Sequence, residues 1–478
     1  MSSSPDLQLP PGVVELREDV PLKAGSGSTS TRLCAGGPRL ILAAFATLTA
    51  AITLALLTQI YYGDYEVVPH GSVSSSAAPC SRAGTAALRA GGRALDAAAA
   101  AALCLAVLAP HRTSLDASGS LVYWEYRSSR TQLPTVVEWG GEDAASGKQL
   151  TSRPPRLLVA LAALHAKLGV LSWSQALQPA IDLAREGFLV SESLALEAES
   201  RGITGYTSTA HRTEPALADY LESLQSNTTA ELCAAWSCDG AVRWRDDAAA
   251  VSVGSWRAWA AGAGGALAAE ALHAAFGIDS LQITPSNVLK GVVDSLRTQW
   301  QTAGAQAPVG VASGLAVVDA RDTYAALVTG LSMPFGSDAG SAESETGTPW
   351  TRDEPTAPLD LAPAIVVDQH VCGTRYVMGA ESGAALAEGA ASALSGGGAG
   401  AAGAAGAVDA VEGARVVVLP GGALALERGH SPPDLPDLAT LPTLNASIPL
   451  PALNFVQQRG DALLSHADSR GGGVASRF

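Results

Sequence analysis

Aromatic residues are scarce in this chain, at 5% of its 478 positions, and charged residues make up only 16%. Set against 47% apolar residues, that low charge excludes a chain that is disordered throughout. Positive charge is the scarcer sign: 30 Lys and Arg stand against 45 Asp and Glu, a net charge of −15. Phosphate binding needs clustered Lys and Arg, so no nucleic-acid partner is expected. Zinc-type spacing is also missing. Six cysteines (Cys34, Cys80, Cys104, Cys233, Cys238 and Cys372) follow no CxxC or Cys/His pattern, so no metal site and no cofactor is expected. His111, His165 and His211 form no recognisable constellation, and no internal repeat occurs. What remains is a chain long enough for a large core and one or two domains.

One long uncharged run is present. "LILAAFATLTAAITLALLTQIYYG", Leu40 to Gly63, is long enough to cross a bilayer as a helix. It sits too far from the start, and runs too long, for a cleaved signal peptide. Residues 1–38 are rich in Pro, Ser and Gly and read as a disordered tail. Residues 39–62 then read as a retained signal-anchor. Lys23, Arg32 and Arg39 precede the span, whereas Asp64 and Glu66 follow it, and Tyr61 and Tyr62 suit the far interface. The positive-inside rule therefore predicts a single-pass type II membrane protein. Its outer part would lie on the extracellular or lumenal side, with the plasma membrane as the expected location. Sequons at Asn227 and Asn445, both beyond the span, agree with that topology. Cys233 and Cys238 would form a local disulfide if that region is extracellular, and two free thiols are an equal alternative. Cys104, in an Ala-rich run, reads as a small buried apolar residue.

Beyond the span, Gly91-Gly92 closes one short helix. Asp96 stands near the start of a second, where a carboxylate favours the positive helix end. That second helix is apolar nearly all round, so deep burial is predicted, and Pro110 stops it. Strand patterns follow in Leu121–Trp139, amphipathic helices in 155–190, and further helix over 250–300. "GLAVVD", "TYAALVTGL", "PAIVVD" and "TRYVMGA" then read as a cluster of strands. An acidic Ser/Gly-rich loop at 337–357 divides them, and 395–407 is low complexity. Helices, then strands, then helices predict a layered α+β architecture with a mixed or antiparallel sheet.

"LRAGGRALDAAAAAALCLAVLAPH" resembles the gamma-glutamyltransferase signature, close to "LRKGGNAVDAAVAAALALGVVEPH". "LHAKLGVLSWSQALQPAIDLAREGFLVSE", "LSMPFGS" and "VCGTRYVMGAESGAALAEGAASAL" resemble later stretches of the same family, in the same order. With "LTQIYYGDY" after the span, the pattern is nearest to the family's vertebrate glutathione hydrolase seven branch. The resemblance implies a four-layer αββα sandwich of the N-terminal-nucleophile hydrolase type, preceded by one transmembrane helix. It divides the outer part into a large-subunit-like region, 63–311, and a small-subunit-like region, 312–478, intertwined in one ectodomain. His165 falls on a packing position of the family.

Family chemistry needs a self-cleaved N-terminal Thr whose own amine is its base. It needs backbone N–H groups for the oxyanion and groups that hold the glutamyl carboxylate and amine. By the resemblance, the Thr-Thr-His start falls on Ala312, Ser313 and Gly314. The clamp arginine of "DFRE" falls on Gly140, and a lost bidentate cation should cost affinity. The serine pair of "PLSSMSPT" falls on Leu359 and Asp360, where an acid should repel the substrate carboxylate. The asparagine of "INLYFGS" falls on Ser332, the glycine-rich "GIGGGGF" has become "SLDASGS", and the oxyanion Gly-Gly falls on Ser382 and Gly383. Three readings follow. The main one is a degenerate ectodomain, a pseudoenzyme, with little or no catalysis and a binding role towards an unknown protein partner. The alternative is an active glutathione hydrolase or gamma-glutamyl transpeptidase, acting on glutathione or gamma-glutamyl compounds with Ser313 as nucleophile. A third makes the chain a partner subunit of an active relative, through a span that has no GxxxG motif.

Overall fold

The computed structural model describes residues 37–62, 70–128, 132–140, 153–245, 249–277, 284–304, 307–337, 348–370, 373–395, 404–419, 422–429, 440–444 and 450–478. The tail 1–36, the sequon at Asn445, Cys34, Cys372, and the stretches 338–347 and 396–403 lie outside the described residues. The chain divides into two compact units, Met1–Val67 and Val68–Phe478.

In the first unit the described residues form one helix, α1, Gly37–Tyr62. Its stretch Arg39–Thr58 has a mean hydropathy of 2.4. Leu40, Ile41, Phe45 and Leu54 are all exposed within the unit. The hydroxyls of Thr49, Thr53 and Thr58 donate to carbonyls three or four residues earlier, at 2.7–2.8 Å. A polar group bonded within its own helix is what a hydrocarbon surrounding requires.

The second unit is a four-layer stack. The first helical layer holds α2 (Ala78–Arg89), α3 (Ala94–Leu108), α4 (Arg156–Leu168), α5 (Trp173–Glu186), α6 (Glu192–Ser200), α7 (Pro215–Ser223) and α8 (Thr229–Trp236). Beneath it lies a seven-stranded sheet. Its members are β1 (Ser72–Ser75), β2 (Ser118–Glu125), β3 (Thr135–Trp139), β6 (Arg243–Arg245), β9 (Val311–Val318), β10 (Thr323–Leu331) and β17 (Ser476–Arg477), in the order β17-β1-β9-β10-β2-β3-β6. The second sheet has six: β7 (Ala249–Val253), β8 (Trp256–Ala260), β11 (Ala362–Asp368), β12 (Arg375–Ala380), β15 (Leu453–Arg459) and β16 (Ala462–His466), in the order β16-β15-β12-β11-β8-β7. The last layer is α9 (Gly262–Phe276), α10 (Pro285–Ala303), α11 (Gly383–Ser395) and α12 (Ala404–Glu412). Two small ladders, β4 (Phe188–Leu189) with β5 (His211–Arg212) and β13 (Val416–Val418) with β14 (Leu424–Leu426), complete it.

Three apolar cores hold the layers together. One packs α2 to α8 on the seven-stranded sheet through residues such as Leu121, Leu315 and Leu327. Another packs α9 to α12 on the six-stranded sheet through Ala364, Met378 and Phe455. The third lies between the sheets: Val122, Trp124, Val318, Tyr324, Ile365 and Val456. Side chains on a strand alternate between faces, so β9 sends Leu315 and Val317 to the helices and Ala316 and Val318 to the other sheet. The described ladders of both sheets are antiparallel.

Helix α3 has every residue from Ala94 to Val107 buried, as its all-round apolar character predicts. Two expectations need correction. Residues 249–260 are not helix but the hairpin β7–β8; alternation in "VSV" and "WRAWA" there outweighs the alanine content. Cys104 is not a lone apolar residue: it is bonded to Cys80, with a Cα–Cα distance of 5.3 Å, tying α3 to α2. The partners are 24 residues apart on different helices, a spacing with no local signature. Cys233 and Cys238 form a second disulfide at the end of α8, with Cα atoms 4.8 Å apart.

Candidate functional site

The head of β9 is the place to start. Ala312 pairs across the sheet with Gly330, and Ser313 with Thr329. Ala312 clusters with Val328, Leu359 and Leu361, so it faces the space between the sheets. By the pleat, Ser313 faces the helical layer, on the side of Leu315 and Val317. Its cross-strand partner Thr329 shares a hydroxyl contact of 2.8 Å with Thr113. Ser313 itself is 1% exposed, and its hydroxyl has no hydrogen-bond partner among the described residues. A cleavage point moved by one residue therefore does not put a hydroxyl where the methyl of Ala312 stands; it turns it to the opposite face.

Ala312 lines a cavity of about 170 Å³ together with His111, Arg112, Gly310, Glu381 and Pro451. Arg112 is the arginine in this lining, and it forms an ion pair with Glu381. Glu381 also accepts from Ser76 Oγ at 2.7 Å and from the Ala452 amide at 2.9 Å. The guanidinium is thus already matched by a buried carboxylate. The sequence context of His111 marks no catalytic role, and the fold brings it to this cavity. Burial, with the neighbouring Arg112 charge, pushes its imidazole down to about 3, so it is neutral at physiological pH.

Gly140, on the clamp-arginine position, has a φ of 76°. A Cβ there would stand 2.2 Å from Ser118 Oγ, so no side chain fits without rearrangement. Gly140, Ser118 and Ser120 instead line a cleft of about 730 Å³, walled opposite by Pro355, Pro358 and Leu361. Ser332, on the asparagine position, donates its amide at 2.8 Å and its hydroxyl to Asp353. Burial pushes the Asp353 carboxyl up, and the two Ser332 bonds draw it down.

Ser382 and Gly383 lie at the start of α11. Ser382 Oγ accepts from the Ala385 amide at 3.1 Å. The Gly383 amide donates to Asp360 Oδ1 at 2.7 Å. Neither residue lines the cavity at Ala312. The expected repulsion by Asp360 takes another form in the structure: the carboxylate turns inward and bonds the very amide assigned to the oxyanion. Burial pushes its carboxyl up to about 7, and the Gly383 bond draws it down. The described residues contain no group of three or more His, Cys, Asp or Glu that would hold a metal ion. Asn227 is exposed in the turn before α8.

Comparison with known proteins gives these features a frame. Residues 80–220 match the family model of gamma-glutamyltranspeptidase. The chain is 33% identical over 190 residues to Glutathione hydrolase 7 of Bos taurus, covering 38% of this chain and 28% of that protein. Over that stretch the chain is similar to the gamma-glutamyltranspeptidase family. A second family relative, Glutathione hydrolase 6 of Bos taurus, is 41% identical over 131 residues, which cover 27% of this chain and 25% of that one. The chain thus spans less than a third of the length of these family relatives. Among solved structures, cephalosporin acylase from Bacillus halodurans superposes with a TM-score of 0.59 at 16% identity, covering 85% of this chain and 96% of that one. The structure titled LmbA2991HD superposes with a TM-score of 0.64 at 15% identity, covering 85% and 98%. These likenesses extend well past the sequence match and show the fold alone: a sandwich of two sheets between helical layers.

Proposed function

We propose that this chain is a membrane-anchored ectodomain of the gamma-glutamyltranspeptidase fold that neither cleaves itself nor turns over gamma-glutamyl compounds. Its role is then one of binding. The observation that carries this is the head of β9, where Ala312 occupies the face between the sheets and Ser313 the opposite one. N-terminal-nucleophile chemistry needs a hydroxyl or thiol, a free amine behind it and an oxyanion donor in front. Here the inter-sheet position carries a methyl, and the Gly383 amide is engaged by Asp360. Arg112 is paired with Glu381 and Gly140 has no side chain, so neither of these described residues offers a free clamp for a glutamyl carboxylate at Ala312. Helix α1 supports a single-pass anchor by its length and composition. The charge asymmetry around it supports a type II orientation, with Asn227 glycosylated on the outer side.

Denaturing electrophoresis of the deglycosylated protein, with N-terminal sequencing of every band, tests this directly. One full-length band is the expected result. A fragment that begins at Ser313 would return the chain to the hydrolases, with glutathione or a related gamma-glutamyl compound as substrate.

A further inference from the structure

We infer that the cavity beside the head of β9 is a binding site for a small uncharged amide. The inference rests on the reading of a binding ectodomain and names the class of ligand that the lining calls for.

Charge is already matched in this cavity. Arg112 is paired with Glu381, and Glu197, which also lines it, accepts from Arg201 Nε at 2.9 Å. An ionic ligand, a glutamyl group included, would have to compete with one of these pairs. His111 differs from them. It is 5% exposed, and neither of its ring nitrogens has a hydrogen-bond partner among the described residues. Phe335 packs beside it, with ring centroids 6.2 Å apart. Kept neutral by burial, the imidazole offers one N–H donor and one acceptor nitrogen. Buried groups of this kind are costly to leave unbonded.

The edge of β9 supplies a second pair of the same groups. Strand β1 pairs with β9 only from Val318 to Leu315, whereas β9 begins at Val311. Val311, Ala312 and Ser313 thus have no strand beside them on the β1 side, and a bare strand edge presents N–H and C=O groups. The cavity lies on this side. Glu381 and Pro451 line it, and Glu381 is bonded to Ser76, just past the end of β1, and to the Ala452 amide. Imidazole and strand edge therefore call for the same partner, a neutral group that both donates and accepts. An amide does so through adjacent atoms. Val311, Ala312, Pro334 and Pro451 provide apolar lining for its alkyl ends. The volume of about 170 Å³ is near that of an engineered cavity of about 150 Å³ that holds benzene, so the ligand is about the size of one peptide group with its flanking carbons.

Water also donates and accepts, so the test has to separate the two. The full chain in detergent, labelled with ¹³C at histidine Cε1, is titrated with N-methylacetamide and followed by magnetic resonance. Acetone, which accepts but does not donate, and sodium acetate, which is charged, serve as controls. Among the signals of the eight histidines, that of His111 is the one missing in His111→Phe. Should that variant not fold, His111 is recognised in the parent as the imidazole that stays neutral at about pH 5. N-methylacetamide at tens of millimolar is expected to shift the His111 signal saturably and to leave the other histidines in place. Acetone and acetate are expected to leave His111 unmoved. No saturable shift at His111, the behaviour of a cavity that holds water only, overturns the proposal. So does an equal shift with acetone or acetate. Electrophoresis of the same samples reads self-cleavage separately. A chain that binds the amide and also cleaves itself would sink the functional reading alone, and an uncleaved chain without the shift would sink this inference alone.

Discussion

A buried hydroxyl without a partner keeps the desolvation cost of folding and gains no bond in return. Ser313 is such a residue. Ser313→Ala is therefore expected to stabilise the protein by about 1 kcal/mol, read as a rise in the denaturant midpoint. The variant should leave the electrophoretic pattern untouched; a loss of bands on this substitution would mean that the hydroxyl acts. Gly140 makes the converse case. Returning an arginine to it strains a positive φ and drives a Cβ into Ser118 Oγ. Gly140→Arg should cost about 2 kcal/mol, and adding Ser118→Gly should recover part of that loss. Equal stability of Gly140→Arg and the parent would show that the β3 end yields more easily than its geometry implies.

Elements differ in how openly the sequence declares them. Helix α3 is legible because an all-round apolar run has one solution, burial on every side, and the strands Val311–Val318 and Thr323–Leu331 are legible as apolar runs bounded by turns. Matches of motif to family set Ala312, Gly140, Ser382 and Gly383 on family site positions, yet Ala312 lines one cavity, Gly140 another cleft, and Ser382 and Gly383 neither. What the letters hide is contact between distant segments. The Cys80–Cys104 bond, the Arg112–Glu381 pair and the Asp360–Gly383 bond join residues 24, 269 and 23 positions apart. No local periodicity encodes such pairings. The hairpin β7–β8 is hidden for a different reason, since its alanines match either state and its short alternation gains weight from the pairing of β8 with β11. Replacing both Cys80 and Cys104 by alanine opens the longer covalent loop, and loop-closure entropy predicts a loss of about 3 kcal/mol, measured by denaturant unfolding. The Cys233–Cys238 pair encloses only a short loop, with a sequence separation of 5, and its removal should cost clearly less. The reverse order would refute this account.

For the whole molecule, acidity and orientation matter most. Glu388 is buried in α11, where its carboxylate accepts from the Val416 amide at 3.1 Å beside Arg415. Burial raises its carboxyl from 4.5 to about 7, against the pull of Arg415. Between those values the folded chain keeps a proton that the unfolded chain has released, so this group lowers stability as pH rises through that interval. Glu388→Gln should remove that component. The difference in melting temperature between the variant and the parent should then grow from about pH 4.5 to about pH 7 and level off above it. A constant difference would place the group in a wetter setting. Orientation is read by Asn227→Gln: loss of one glycan-sized shift on a gel supports an outer position for α8, and no change would place that region on the other side or leave the sequon unused.

The pleat of β9 has a further consequence. Positions 312, 314 and 316 share the face towards the second sheet, and they are Ala, Gly and Ala. Gly314 is so near β12 that a Cβ there would meet the Gly379 carbonyl at 2.3 Å, while Asn454 stitches the Gly314 carbonyl to β15 at 2.8 Å. Smallness here is a packing requirement of two sheets drawn together. Sliding the chain by one residue changes the face, and sliding it by two meets glycine. A larger side chain could enter this face only if the sheets first moved apart.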